Sequence, residues 1–177
     1  MSPFKKPLII DNDCISNFQL AHVLEKVLKF WPSGNIKIPQ RVLSEARAWR
    51  QHGVEVCEII ERLNASGNIE LMTIDDNSEE ETSAYLELRL KQPGLGAGES
   101  ESIAIAKCRN YIVASDDGVA TTKSKQLFPD VIIVTTADVL KMAQKDGFLK
   151  YTEIDLIWDT IKSERAKQLS PRPTKTK

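Results

Sequence analysis

"NYIVASDDGVATT" (residues 110–122) sets an apolar run against two adjacent aspartates. Tyr111 to Ala114 suit a buried strand, and the chain then turns polar at Ser115, Asp116 and Asp117. The same event occurs in "PLIIDND" (7–13), where Leu8-Ile9-Ile10 runs straight into Asp11 and Asp13. Short continuous apolar runs are the pattern of strands covered on both faces, which is the pattern of parallel sheets. In such sheets ligands bind beyond the carboxyl ends of the strands, where both acidic turns fall.

Working outward, strands and helices alternate. A strand over 7–11 precedes an apolar helical spacing over 15–31 (Phe18, Leu20, Ala21, Leu24, Val27, Leu28, Trp31). A turn at 32–35 leads to a short strand at 36–38, and Pro39 suits the first position of the next helix. Gly53 divides that helix from another over 54–65, and 69–74 is strand-like. Residues 75–92 carry acids in the first turn and bases in the last, as the helix dipole prefers. After "PGLGAG" come a helix through "ESESIAIAKCR", a strand (111–115), a helix (118–127), a strand (131–134) and helices over 136–145 and 155–168. This alternation predicts an α/β fold, a three-layer α/β/α sandwich with a mostly parallel central sheet. One domain over 1–150, a C-terminal helix over 151–168 packed on it or extending it, and a disordered basic tail over 169–177 complete the expectation.

Composition narrows the function classes. The 177 residues carry a net charge of −1, so no global field gathers polyanions. Cys14, Cys57 and Cys108 form no metal-ligand spacing and, with only two histidines, point away from zinc and toward buried thiols. The apolar patch at 8–10 is too short for a secretory segment, and no run reaches membrane-spanning length. These features point to a cytoplasmic protein.

Each acid taken alone suits a helix N-cap. Taken together, carboxylates gathered at two strand ends raise one another's pKa unless a cation neutralises them. A hard divalent ion such as Mg²⁺ takes oxygen ligands and retains several waters, so a few carboxylates hold it.

"LIIDNDCISNF", "IPQRVLSEA", "GAGESESIAIA" and "YIVASDDGVA", in that order, resemble the four acidic motifs of the PIN-domain family. These are metal-dependent nucleases that include toxins of bacterial and archaeal toxin–antitoxin pairs. The resemblance covers roughly residues 7–140, and "GAGESESIAIA" is similar to the GE-x-E helix of one PIN subgroup. It implies Asp11, Glu45, Glu99 and Asp117 as catalytic acids, and Asp11, Glu99, Asp116 and Asp117 as metal ligands, with Asp117 or Asp116 the fourth motif acid. Glu99 and Glu101, two residues apart on a helix, do not share a face, and Glu99 is preferred because it directly follows the glycine break, which leaves Glu101 as a supporting or substrate-side group. Asp13 is an extra ligand or a cap, and Asn12 and Ser115 orient carboxylates or water. Arg41, Arg47, Arg50, Lys123 and Lys125 are the candidate substrate contacts. The implied activity is Mg²⁺- or Mn²⁺-dependent hydrolysis of RNA phosphodiesters, and the implied partners are an RNA substrate, an antitoxin protein and a second copy in a homodimer.

Two other readings use the same residues. "IIDND" and "VASDD" also suit a haloacid-dehalogenase-type phosphatase with Asp11 and Asp13 as nucleophile and acid, Thr73 as hydroxyl and Lys91 or Lys107 as lysine. A PIN-like module that binds without catalysis is the other.

Overall fold

The computed structural model describes residues 6–49 and 52–165. Arg50 and the 169–177 tail lie outside the described residues, as do the last residues of the helix expected to run to Gln168. Five strands form the sheet: β1 (Leu8–Ile10), β2 (Ile36–Pro39), β3 (Ile69–Met72), β4 (Ile112–Ala114) and β5 (Ile132–Val134). Their order is β3-β2-β1-β4-β5 and every pairing is parallel, with Leu8 opposite both Ile36 and Ile112.

The chain therefore builds outward from β1 in one direction, then returns to place β4 on β1's other side. The order reverses between β1 and β4, and this is where a doubly wound sheet opens a crevice at its carboxyl edge.

Alternation within the strands splits the core into two layers. Leu8, Ile10, Ile36, Ile38, Ile112 and Ala114 face one side, while Ile9 and Val113 face the other. On the first side pack α1 (Asn12–Leu20), α2 (Leu24–Leu28), α3 (Gln40–Arg47), α4 (Gly53–Ala65), α8 (Thr136–Lys145) and α9 (Tyr151–Glu164). On the second pack α5 (Glu79–Lys91), α6 (Ala97–Arg109) and α7 (Gly118–Leu127). The result is the three-layer sandwich, with a sheet that is wholly parallel. Among the described residues no helix is long and apolar enough to cross a membrane.

Four boundaries differ from the sequence reading. The single helix expected over 15–31 is two, because His22 adopts a left-handed backbone (φ +56°) after α1 and turns the chain before α2. Apolar spacing continues across the break, so periodicity does not reveal it. Pro39 ends β2 and occupies the N-cap of α3 rather than its first turn. The helix expected from residue 75 begins at Glu79, because Ser78 caps it by accepting from the Glu81 amide while Asp75 organises a turn. The last helix starts at Tyr151, one turn before the expected Asp155.

Ion pairs fasten the second layer. Glu81 is buried and takes the Arg109 guanidinium through both carboxylate oxygens at 2.6 and 2.9 Å, which ties α5 to the end of α6. That contact holds the Glu81 carboxyl below the usual range. Cys14 and Cys57 are buried thiols, and Cys108 is half-buried.

The final helix is integral to the first layer: Ile154, Ile157, Trp158 and Ile161 all belong to its core. Trp158 is fully buried, and α9 lies on α1. Truncating Trp158 to alanine is expected to cost about 3–5 kcal/mol in urea unfolding, the scale for a buried aromatic. A loss under about 1 kcal/mol would mean that α9 rides on the surface.

Candidate active site

Asp11 follows β1 directly and is buried at 4% exposure. It holds the N-cap position of α1, yet its side chain makes no capping bond to that helix. Its pKa is raised from 3.8 to about 6: burial is the main cause, the Asn12 amide pulls the other way, and Asp13 and Glu45 add negative charge. The Ser115 hydroxyl, at the end of β4, also hydrogen-bonds it and favours the charged form.

Glu99 lies in the first turn of α6, and its Oε2 accepts from the Gly96 amide at 2.8 Å. Its pKa rises from 4.5 to about 7, first through burial and then through the charges of Asp11 and Asp117. The protonated Glu99 carboxyl donates a hydrogen bond to Asp117. Asp117 caps α7, its Oδ1 accepting from the amides of Val119 (2.6 Å) and Ala120 (3.1 Å). Asp11, Glu99 and Ser115 line one small gap with Ser102 and Ile103.

Glu45, one turn into α3, joins from the rim. Its Oε2 accepts from Asn12 Nδ2 at 3.1 Å, and its Oε1 lies 3.1 Å from where a Cβ on Gly98 would sit. Gly96 presents the same close approach to Glu99 Oε2, at 3.0 Å. The "GAG" break thus admits two carboxylates against bare backbone, a role that only glycine fills without displacing them.

Asp116 turns the other way. Its Oδ1 accepts from the Thr136 amide at the start of α8 (2.9 Å), and its Oδ2 accepts from Asn17 Nδ2 (2.5 Å) and the Thr136 hydroxyl. Neither Asn17 nor Thr136 stands out in the sequence. The only trace is "VTTAD" after β5, which reads as an ordinary helix start.

Asp13 is drawn to Arg165, 3.6 Å away. Glu101 faces away from Glu99: it is buried and bonds Arg41 Nε at 3.2 Å. Arg47 pairs with Glu61. Lys123 Nζ lies 2.6 Å from where a Cβ on Gly94 would sit, and Lys125 is exposed. The lysines of the phosphatase reading serve elsewhere, Lys91 pairing with Glu87 and Lys107 lying 4.6 Å over the Phe128 ring.

Five elements therefore place acids or their partners around one crevice between β1 and β4. A family profile described as "DUF3368: PIN domain" matches residues 7–167. The chain belongs to the PIN-domain family. PIN domains are a nuclease-type family that generally depends on divalent metal and binds nucleic acid. No curated protein matches the sequence. Among solved structures it is similar to the crystal structure of PAE2754 from Pyrobaculum aerophilum, at 14% identity over 78% of this chain and 98% of that one, with a TM-score of 0.49.

The donors of this PIN domain fit a hard divalent cation. They are oxygens, two have strongly raised pKa values, and Asn12 Oδ1 is buried beside them without a partner. Among the described residues no three His, Cys, Asp or Glu side chains already stand as a ligand set. Glu99 and Asp117 each accept from a backbone amide and share a hydrogen bond with one another.

Ionising Asp11 costs stability, since its folded pKa lies above its unfolded value. The cost sets in as pH rises past 3.8 and is complete above about 6. In EDTA, Asp11→Asn is therefore expected to gain stability over the wild type by about 2 kcal/mol more near neutral pH than at about pH 4.5. Melting curves at both pH values check this, and a difference independent of pH would contradict it.

Proposed function

We propose that this PIN domain is a Mg²⁺- or Mn²⁺-dependent endoribonuclease. The observation that carries the reading is the gathering of Asp11, buried at the end of β1, with Glu99, Asp117 and Glu45 from four separate elements, with the pKa values of Asp11 and Glu99 both raised. Carboxylates so placed are destabilised until a cation joins them, and a site kept at that cost is a functional one. When bound, the metal supplies an activated water and neutralises charge on the leaving oxygen.

The chain's own residues divide the remaining work. Asp11, buried and fixed behind β1, and Glu99, backed by the Gly96 amide, are the holding groups. Asp117 contributes its second oxygen while α7's first amides fix the first. Glu45, steadied by Asn12, completes the rim, and Ser115 orients Asp11. Asp116 acts as an anchor that bonds the β4 end to α1 and α8, which sets where Asp117 points. Asp13 belongs with Arg165. RNA is the substrate this reading favours, and a toxin role with an antitoxin partner and a homodimer follows from the family resemblance in the motifs.

Purified protein with mixed RNAs and Mg²⁺ or Mn²⁺ tests the reading. Cleavage is expected to vanish in EDTA and to fall on the order of 100-fold or more in Asp11→Asn and Glu99→Gln, the scale for losing an electrostatic stabiliser. Cleavage that survives chelation, or both substitutions, overturns it.

A further inference from the structure

Beside the acids, over the ends of β2 and β3, runs a groove of about 480 Å³ walled by Arg41, Thr73, Asp76, Thr82, Tyr85 and Leu86. That volume lies within the range of small-ligand pockets. Thr82, Tyr85 and Leu86 are three and four residues apart on α5, so they share one helical face. Tyr85 rests partly on the core beneath, and Leu86 is 50% exposed. This face of the groove sets the Tyr85 ring and Leu86 beside the Thr82 hydroxyl.

Arg41 stands in the wall on α3. Buried Glu101 holds its Nε, and its terminal nitrogens make no hydrogen bond among the described residues. Glu101 also approaches the Ile74 amide at 3.4 Å, which anchors the pair to the end of β3. A guanidinium held this way loses little further freedom when it meets a ligand.

The groove and the acid cluster are built on the same two helices. Arg41 meets Glu101 across α3 and α6, and one turn along each helix Glu45 meets Gly98. The first contact borders the groove and the second borders the acids. A strand lying along the carboxyl edge of the sheet would cross both.

We infer that this groove is a subsite for one nucleotide of single-stranded RNA next to the cleaved bond, with the base on the Tyr85–Leu86 face and its phosphate on Arg41. The inference rests on the ribonuclease reading. Stacking on an aromatic face is the sequence-tolerant way to hold an unpaired base, and a duplex does not offer one. Charge fixes the orientation. Among the described residues Arg41 is the one cation lining the groove, while Asp76 and Glu101 repel phosphate and leave the remaining length to a neutral ring. The exposed Asp76 carboxylate accepts from a base amino group.

Fluorescence anisotropy with a labelled single-stranded RNA tests this, using the full chain with Asp11→Asn and Mg²⁺ to prevent turnover. Adding Tyr85→Ala is expected to weaken binding about tenfold or more, with an unchanged salt slope. Tyr85→Phe keeps binding within about twofold, which separates stacking from misfolding. Arg41→Ala weakens binding and flattens the salt slope by about one phosphate. In the wild-type background Tyr85→Ala raises KM. Binding and KM that ignore Tyr85→Ala, or an equal loss on duplex RNA, overturn the subsite. Tyr85-dependent binding by a wild-type chain that cleaves nothing overturns the ribonuclease reading and supports the subsite. Cleavage with no Tyr85 dependence does the reverse, and failure to bind RNA at all overturns both.

Discussion

Mutual repulsion between carboxylates held out of water is the constraint on which the rest of this structure depends. Burial raises the pKa of Asp11 to about 6 and that of Glu99 to about 7, and neighbouring carboxylate charge adds to both. The arrangement is made unavoidable by topology. Strand order reverses between β1 and β4, so the residues that follow both strands are delivered to one crevice. The glycines of α6 then let Glu99 and Glu45 approach where any Cβ would intrude.

Helix N-termini moderate the repulsion without removing it. Asp117 spends one oxygen on α7, Glu99 one on the Gly96 amide, and Asp116 bonds α8 and Asn17. Capping and ligation are thus compatible uses of one side chain, since a carboxylate has two oxygens. Asp11 is the exception. It occupies a cap position without a side-chain capping bond, and the Asn12 amide and the Ser115 hydroxyl are what offset its charge.

Much of the fold was legible because its strands are short apolar runs with polar ends, and parallel sheets leave that mark. The break at His22 was not, since a left-handed residue between two apolar turns leaves the helical period intact. In the acid motifs, the sequence named residues near one another in space but not their directions. It did not give the different directions of Asp116 and Asp117, because Asp116 is turned by Asn17 and Thr136, from distant segments. Glu99 and Glu101 face different ways, as helical geometry requires of residues two apart. Arg41 was legible as a cation near the site, but its fixation by Glu101 depends on how α3 meets α6, which no local pattern encodes.

The central claim is that these acids share a deficit of one cation. Calorimetric titration of the full chain with Mn²⁺ near neutral pH, in two buffers of different protonation heat, tests it most directly. The account predicts binding accompanied by release of about one proton or less per ion, drawn mainly from the Glu99–Asp117 pair, and loss of both heat and proton release in Glu99→Gln. Absence of binding, or binding equally strong in Glu99→Gln and Asp11→Asn, would contradict it.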